Sequence, residues 1–398
     1  MDPKTNPFSP GAGTPPPELA GRDDLRRTVD IAIERTRRGL HAKSILMIGL
    51  RGVGKTVLLD RMRLDAEAIG IQTMRIEVPE RRSLPGILVP QLRQVLLRLS
   101  RVEKAKSLAQ RALRGLASFA KALKFKYEDI EVGFDLEPET GLADNGDLEH
   151  DLQALLEVVG QAAQKAETAL AIFIDELQYV PEAQLEALIT ALHRSSQLQL
   201  PIILVGAGLP QLTGQMGRAK SYAERLFDFP MIGALSPEAA QQAIRKPAAA
   251  QGVLISEAAL EAIVAITKGY PYFLQEWGKH TWDVADFSPI TVGHVQEATI
   301  SAIAALDESF FRVRLDRLTP IEKSYLRAMA SLGAGPHRSG NIASVLGRKV
   351  QSLAPTRGQL INKGMIWSPN YGDTAYTVPL FDQYMLRVMP DAPNLDNS

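Results

Sequence analysis

One eight-residue loop constrains this chain more than any other part of the sequence. Residues 49–56 read GLRGVGKT, which is the complete Gly-x4-Gly-Lys-Thr pattern of a phosphate-binding loop. The apolar run 44–48 precedes the loop, and the helix-like stretch 57–62 follows it. The motif needs this order, because its glycines allow a tight turn and the helix N-terminus attracts anionic oxygens. The sequence therefore predicts a nucleotide-binding α/β domain.

The loop residues have distinct expected roles. Backbone N–H groups point inward at phosphate oxygens, and the Lys55 side chain reaches the β- and γ-phosphates, where it serves catalysis. The Thr56 hydroxyl is a candidate Mg²⁺ ligand. The predicted cofactors are ATP and Mg²⁺. The predicted nucleotide-binding residues of the loop are Gly49, Leu50, Arg51, Gly52, Val53, Gly54, Lys55 and Thr56.

Composition excludes several kinds of site and leaves the partner open. A chain of 398 residues predicts two or three domains. The sequence has 45 basic and 45 acidic residues, so its net charge does not indicate a partner. Because it has no cysteine, disulfides, thiolate catalysis and cysteine-bound zinc are excluded, and its six histidines lack metal-ligand spacing. With no membrane-spanning apolar run and no signal peptide, a cytoplasmic protein is expected.

Strand and helix patterns alternate through the first part of the chain. A strand or hairpin, with Gly133 as a bulge or turn, is expected at 125–136. Strands separated by helices predict a parallel sheet covered on both faces. The predicted strands are 44–48, 72–78, 169–174 and 201–205, and the predicted helices are 22–38, 84–99, 104–123, 147–165 and 181–196.

From residue 235 the pattern predicts helices and, at the end, a small hairpin. Ser236 and Ser256 are helix-start signals, and Thr291 opens a long helix that runs to about Arg314. Three further helices followed by a hairpin within 365–378 describe a winged helix. The predicted domains are an extended N-terminal arm at 1–20, a P-loop ATPase α/β domain at 21–234, a helical lid at 235–314 and a winged-helix domain at 315–398.

Two adjacent carboxylates end the apolar run 169–174. Asp175 at the strand tip can hold Mg²⁺, directly or through water. Glu176 is placed to polarise an attacking water, which makes it the candidate general base. The alternative is an ordinary strand-to-loop transition with acidic residues. The phosphate loop upstream and the intervening strand at 72–78 favour the catalytic interpretation.

In this order of motifs the chain resembles the STAND-type relatives of AAA+ ATPases and the origin-recognition-complex-like AAA ATPases. The resemblance covers roughly residues 18–389 and implies an AAA+ type sheet with a helical lid and a winged helix. In these families a Gly-Arg pair before the first helix lies near the adenine, and a Gly-x-Pro segment of the lid closes over the nucleotide. Gly21, Arg22 and Pro271 are therefore the implied contacts. Alternatively, Gly269 merely ends one helix and Pro271 begins the next.

The chain departs from these families at two places. Their lid arginine is missing from 272–275, which favours a switch over a constitutive motor. The strand at 201–205 ends in glycine and alanine at 206–208, where relatives usually place the Asn, Ser or Thr that senses the γ-phosphate. Arg225, just before a predicted edge strand, could take this role in its own subunit or a neighbour's. A salt bridge of Arg225 is the alternative.

A basic block and an acidic block adjoin in the middle of the chain. Residues 81–126 contain twelve Lys or Arg and one acid, and residues 127–157 contain eleven acids and no Lys or Arg. A basic stripe on the helix at 104–123 would suit nucleic acid or an acidic partner, whereas neutralisation by the acidic block is the alternative. The stripe consists of Lys104, Arg111, Arg114 and Lys121.

The third helix of the predicted winged helix offers polar side chains that could read DNA, with Arg348 and Lys349 near phosphates. The wing at 368–373 carries no Lys or Arg, however, and winged helices also contact proteins. The candidate DNA-reading residues are Gln351, Ser352, Thr356, Arg357, Gln359 and Lys363.

Together these features predict an ATP-binding and slowly hydrolysing switch that couples its nucleotide state to a partner through the lid and the winged helix. The expected partner is a protein, no membrane contact is expected, and a nucleotide-dependent homo-oligomer would suit an arginine acting across subunits. The alternatives are a DNA-binding ATPase of the initiator or transposition-helper type, and a module that holds ADP without turnover.

Overall fold

The computed structural model describes residues 1–11, 13–79, 82–124, 126–127, 129–130 and 137–390, which form two compact units. The α/β unit consists of Arg22–Gly49 and Lys55–Ile232. The helical unit consists of Met1–Gly21, Leu50–Gly54 and the described residues from Gly233 onward. Most of the strand or hairpin predicted at 125–136 lies outside the described residues.

A parallel sheet forms the centre of the α/β unit. Its strands lie in the order β2-β3-β4-β1-β5, and β6 pairs with a later part of β1. β3 and β4 are buried along their whole length, as strands with helices on both faces must be. The strands are β1 Ser44–Gly49, β2 Gln72–Glu77, β3 Leu170–Asp175, β4 Ile202–Gly208, β5 Phe227–Asp228 and β6 Met231–Ile232.

The helices of the α/β unit bury one apolar face each. α1 packs on α2, and α3 to α6 pack one against the next. The apolar face of α4 is buried at Ala112, Leu116, Phe119 and Leu123 and partly buried at Leu108. The helices are α1 Asp23–Arg37, α2 Lys55–Ala68, α3 Leu84–Leu99, α4 Lys106–Leu123, α5 Leu148–Lys165, α6 Glu182–Gln197, α7 Gln211–Ala219 and the single turn α8 Ala223–Leu226.

The order of the strands in the sheet corrects one inference made from the sequence. The strand at 72–78 lies between the phosphate loop and the acidic pair in sequence, but as β2 it occupies the sheet edge next to β3. The strand that separates β1 from β3 in space is β4, which follows both in the chain. Sequence order does not fix sheet order, because a helical crossover lets a later strand insert between earlier ones.

Helices alone make up the first part of the helical unit after Gly233. The predicted caps are present, because the Ser236 and Ser256 hydroxyls accept the N–H groups of Ala239 and Ala259 at 3.2 and 3.3 Å. The helix opened by Thr291 continues through a π-helical segment, Leu306–Phe311, into the next helix. These helices are α9 Pro237–Ala250, α10 Glu257–Thr267, α11 Pro271–Val284, α12 Val292–Ala305 and α13 Arg312–Asp316.

The C-terminal segment of the helical unit combines helices with a small sheet. Thr319 and Glu322 form a capping box that starts α14. The three short strands pair antiparallel in the order β7-β9-β8. β7 and α17 have no counterpart among the predicted elements. The elements are α14 Pro320–Ser331, β7 His337–Arg338, α15 Ser339–Val345, α16 Val350–Asn362, β8 Ile366–Trp367, β9 Asp373–Tyr376 and α17 Phe381–Val388.

The N-terminal residues pack along α11 of the same unit. Phe8 is buried against Gly278, the Trp282 indole N–H donates to the Asp2 carbonyl at 3.0 Å, and the Asn6 amide donates to the Asp283 carboxylate at 2.8 Å. The predicted extended arm is therefore anchored by specific contacts. Of the helices in the described parts of the chain, none combines the length and the apolar character needed to cross a bilayer.

Candidate nucleotide-binding and hydrolytic site

The phosphate loop begins at Gly49, the last residue of β1, and ends at Thr56, the second residue of α2. Gly52 and Gly54 have φ angles of +81° and +89°, in the left-handed region that residues with a Cβ rarely adopt. The loop glycines are thus required by the backbone conformation itself. Because β1 is a central parallel strand, the loop stands at the carboxyl edge of the sheet, where α/β proteins bind their ligands.

Lys55 and Thr56 start α2 within the α/β unit. The Lys55 side chain is buried, and its ammonium group donates to the Gly49 carbonyl oxygen at 2.9 Å. The Thr56 hydroxyl donates to Asp175 Oδ2 at 2.5 Å. The predicted cation, the predicted hydroxyl ligand and the predicted acidic ligand therefore meet at one end of the sheet.

Asp175 is the last residue of β3 and only 2 % exposed. Burial raises the pKa of this carboxyl group, and the hydrogen bond from Thr56 opposes that rise. Among the described residues, no cluster of three or more His, Cys, Asp or Glu could hold a metal on its own. One carboxylate and one hydroxyl fit Mg²⁺, which takes few protein ligands and completes its shell with water and phosphate oxygens. Asp175 and Thr56 are the residues that would hold this ion.

Glu176 follows Asp175 in a conformation that is unusual for a residue with a side chain. Its φ and ψ are 56° and 36°, in the left-handed region, and it caps a short 3₁₀ turn, Leu177–Tyr179. Its backbone N–H donates to Asp175 Oδ1 at 2.8 Å. The Glu176 side chain is partly exposed and accepts a hydrogen bond from the amide of Gln178. The side chains of Asp175 and Glu176 therefore have separate hydrogen-bond partners.

Gln178 is the site residue that sequence reasoning missed. Its side chain is 6 % exposed and bridges two elements: Nε2 donates to Glu176, and Oε1 accepts the Leu209 N–H just after β4 at 3.0 Å. Its own carbonyl accepts from the Gln215 amide of α7 at 3.2 Å. The only indication of this residue in the sequence was that the end of β4 lacks a polar side chain.

The tip of the phosphate loop, residues 50–54, packs against Tyr270 and Tyr272 of the helical unit. The Tyr272 N–H donates to the Gly52 carbonyl at 3.3 Å, and a Cβ on Gly52 would lie 2.9 Å from the Tyr270 ring. Arg314 stacks over the Phe310 ring, 3.7 Å from its centroid. Burial and the nearby charge of Arg51 lower the pKa of Arg314 to about 10. An arginine thus does approach the loop, but from α13 and not from α11.

The residues implied by the family resemblance lie in different surroundings. Gly21 has a φ of +66° and lies against Ala239 and Leu235 of the helical unit. Arg22 precedes α1, and its partial burial lowers the pKa of its guanidinium. Pro271 is the first residue of α11, and its neighbours Tyr270 and Tyr272 supply the loop contacts described above. The roles of Gly21, Arg22 and Pro271 at a nucleotide stay predictions.

Arg225 is not brought to the phosphate loop of its own subunit. It lies in α8, directly before β5, and β5 pairs with the start of β1 at Ser44. The loop follows the other end of β1, roughly 17 Å away at about 3.3 Å per residue. The Arg225 side chain is exposed, and none of the ion pairs among the described residues involves it. The salt bridge to Asp228 is absent, since that carboxylate pairs with Lys43 at 3.2 Å.

The basic stripe of α4 is largely neutralised by its own unit. Arg111 and Arg114 both pair with Glu139, at 2.9 and 3.2 Å, and Lys104 pairs with Glu167 at 2.9 Å. The structure therefore favours the alternative in which acidic residues neutralise this helix.

Two of the DNA-reading candidates on α16 are also engaged internally. Arg357 donates to Thr374 and to the Asp373 carbonyl, both at 2.9 Å, and Lys363 pairs with the buried Glu322 at 2.7 Å. Arg348, Lys349, Gln351, Ser352 and Gln359 are exposed, and Thr356 is buried.

Comparison with known proteins agrees with this geometry. Residues 18–205 match the family model described as AAA ATPase domain, and residues 308–385 match a model described as Domain of unknown function (DUF8462). A search of curated proteins finds no match. The α/β unit has the fold of AAA+ P-loop ATPases, residues 18–205 are similar to the AAA ATPase domain, and the protein is an ATPase.

A search of solved structures finds several matches at low sequence identity. The Walker-type ATPase paby2304 of Pyrococcus abyssi is 16% identical, with a TM-score of 0.57 over 94% of this chain and 98% of that one. The Holliday junction branch migration motor RuvB of Thermotoga maritima is 17% identical, with a TM-score of 0.43 over 90% and 92%. The Orc1 protein of Aeropyrum pernix, in complex with DNA, is 16% identical, with a TM-score of 0.45 over 94% of each chain.

Replacing Lys55 by Ala is expected to weaken ATP binding roughly 10- to 100-fold. A hydrogen bond to a charged group contributes about 1.5–3 kcal/mol, and each 1.4 kcal/mol is about tenfold in affinity. Titration with a fluorescent ATP analogue measures the change. Lys43→Ala is the matched control, because Lys43 is an exposed lysine of the same unit. Equal affinity in the two variants would remove Lys55 from the nucleotide site.

Proposed function

We propose that this ATPase is a slow molecular switch, which passes its nucleotide state to a protein partner through a helical lid, residues 235–314, and a C-terminal winged helix, residues 315–398. The observation that carries the proposal is a continuous series of aromatic contacts within the helical unit. The series begins at the phosphate-loop tip and ends in α17, the last helix of the described residues.

The first part of the series joins the loop to the π-helical segment. Tyr270 and Tyr272 contact Gly52, as described above, and the Tyr272 ring stacks on Phe310 with centroids 4.5 Å apart. Stacked rings of this kind are worth about 0.5–1.5 kcal/mol beyond the area that they bury. A change in the backbone of Gly52 therefore has a direct effect on Phe310.

The second part joins the π-helical segment to α17. Phe311 packs edge-on against Phe310 at 5.4 Å and Phe381 at 5.5 Å, and it lies 5.2 Å from the Tyr384 ring. Arg387 holds Asp307 through two hydrogen bonds of 2.8 and 2.6 Å. Short π-helical segments often lie at functional sites, and this one contains residues of both contact sets.

Hydrolysis itself is assigned to the α/β unit. Lys55 would bind the β- and γ-phosphates, while Asp175 and Thr56 would hold Mg²⁺, which neutralises phosphate charge when bound. Glu176 would take a proton from the attacking water as general base. The contacts of Tyr270 and Tyr272 with Gly52 support slow turnover, and so does the lack of an arginine at 272–275, since the arginine that approaches the loop is Arg314 of α13.

The surface of the C-terminal segment supports a protein partner better than DNA. Arg357 and Lys363 hold neighbouring residues of their own segment, so they are not offered to phosphates. The exposed side chains of α16 include Gln351 and Gln359, which are neutral, and the tip of the hairpin presents Tyr371, which is 99% exposed. DNA binding needs several cations at the backbone, and it would show as a strong dependence of affinity on salt.

Glu176→Gln is expected to bind ATP normally and to lower turnover about a hundredfold or more, because the amide keeps the shape of the side chain and cannot accept the proton. Phosphate release and analogue titration measure the two properties. Glu182→Gln is the control, since Glu182 is a half-exposed carboxylate of the same unit that pairs with Arg218. Wild-type turnover in Glu176→Gln would show that another group is the base.

The switch predicts that nucleotide state changes the dynamics of α17. Hydrogen exchange in Leu306–Phe311 and α17 is expected to differ between ATP-loaded Glu176→Gln and the ADP-bound wild type. Phe311→Leu should still bind ATP but lose the response of α17, because its ring contacts are gone. Phe287→Leu, which changes a phenylalanine that is 58% exposed, is the control. Identical exchange of α17 in both nucleotide states would end the switch proposal.

Arg225 is proposed to act across subunits, since it is remote from its own phosphate loop. Turnover per subunit should then rise with protein concentration, and it should fall in Arg225→Ala. Mixing Arg225→Ala with Glu176→Gln should restore part of the activity, because each subunit supplies what the other lacks. Arg218→Ala changes a nearby exposed arginine as a control. Full activity of Arg225→Ala at every concentration would leave Arg225 without a role in hydrolysis.

A further inference from the structure

The end of β4 is built to receive side chains from the loop after β3. A Cβ on Gly206 would lie 2.3 Å from Leu177 Cδ1, and a Cβ on Gly208 would lie 2.6 Å from Leu212 Cδ2 and 3.0 Å from Gln178 Oε1. A side chain at Gly206 would therefore displace Leu177, and one at Gly208 would displace Leu212 and press on the Gln178 amide. The two glycines thus leave room for the loop that follows Glu176 and for Leu212 of α7.

Gln178 lies beside Gly208 and links the end of β4 to the loop after β3. Its Oε1 accepts the Leu209 N–H, and its Nε2 donates to the Glu176 carboxylate. The same amide therefore links the end of β4 to the candidate base. A third hydrogen bond, from Gln215 to the Gln178 carbonyl, fixes the main chain at this point.

We infer that Gln178 is a positioning residue for ATP hydrolysis, which holds the carboxylate of Glu176 in the direction needed to orient the attacking water. The inference rests on the proposed role of Glu176 as the general base. Gln178 supplies, from the loop after β3, the polar contact that the end of β4 lacks in this chain.

The physical argument concerns the freedom of the glutamate side chain. A partly exposed glutamate samples several rotamers, and most of them point its carboxylate away from any one water position. The Gln178 amide binds Oε2 of that carboxylate and thereby sets the direction of Oε1. Both the oxygen and the nitrogen of the Gln178 amide form hydrogen bonds, so the position of the Glu176 carboxylate depends on the position of the end of β4.

The two functions of the amide can be separated by one substitution. Gln178→Glu keeps an oxygen to accept the Leu209 N–H and removes the donor to Glu176. The chain offers a matched control in Gln184, which is buried in the same unit and whose Oε1 accepts the Leu84 N–H at 2.7 Å. Gln184→Glu makes the same chemical change at a structural hydrogen bond away from the acidic pair.

The full-length protein with Gln178→Glu is expected to show a kcat about 10- to 100-fold lower, with KM for ATP and affinity for a fluorescent ATP analogue within about twofold. Gln184→Glu should keep the wild-type kcat. Gln178→Met, which is neutral and of similar length but removes both hydrogen bonds of the amide, is used if the added charge prevents folding, and Gln184→Met, which also removes a buried acceptor, is its control. Unchanged kcat in a folded Gln178 variant, or equal loss in the Gln184 variant, overturns the inference.

A double-variant cycle separates this inference from the proposed function. If Gln178 acts through Glu176, changing Gln178 in the Glu176→Gln background should lower the residual turnover no further, because the base is already absent. Additive losses would show a general structural effect and overturn the inference. If Glu176→Gln itself keeps wild-type turnover, the proposed base is wrong and the inference falls with it. If Glu176→Gln is inactive and Gln178→Glu is normal, only the inference fails.

Discussion

The site depends on one buried carboxylate, Asp175, and on the groups that compensate it. Burial disfavours its charged form, and the Thr56 hydroxyl, the Glu176 N–H and the charge of Lys55 stabilise that form. Because the folded-state pKa lies above the ordinary value, the folded protein binds this proton more tightly than the unfolded chain does. The free energy of unfolding therefore falls as pH rises from the ordinary pKa of the carboxyl group to its raised pKa, and this loss of stability remains at neutral pH. A bound divalent cation would offset the loss, which favours a site that serves a ligand over one that serves stability.

The parallel sheet explains why these groups meet although they are far apart in sequence. Thr56 and Asp175 are 119 residues apart, yet β1 and β3 both run toward the same edge with β4 between them. Residues that directly follow the carboxyl end of a parallel strand in this sheet lie at that edge. The same rule explains the position of Arg225, which precedes a strand and therefore lies at the opposite edge.

The sequence predicted correctly those features that depend on residues close together in the chain. The helix predicted at 84–99 has those bounds, the caps at Ser236 and Ser256 form their hydrogen bonds, and the predicted strands at 44–48 and 169–174 are buried in a parallel sheet. The phosphate loop and the Asp175-Glu176 pair could be located because their residue types and flanking elements are local patterns. Strand order, the anchoring of the N-terminal residues and the neutralisation of α4 depend on contacts between distant residues, which no local pattern contains.

Gln178 shows what kind of site residue a search for sequence motifs does not find. Its position depends on another strand, since Gly206 and Gly208 leave room for Leu177, Leu212 and the Gln178 amide. In the sequence, the end of β4 lacks the Asn, Ser or Thr that senses the γ-phosphate in relatives. In the structure, the neighbouring loop supplies a polar group at this place. The left-handed conformation of Glu176 belongs to the same arrangement, because strained backbone is retained where the surrounding contacts determine it. The short 3₁₀ turn at 177–179 thus carries both Leu177, which packs against β4, and the amide of Gln178, which binds the Glu176 carboxylate.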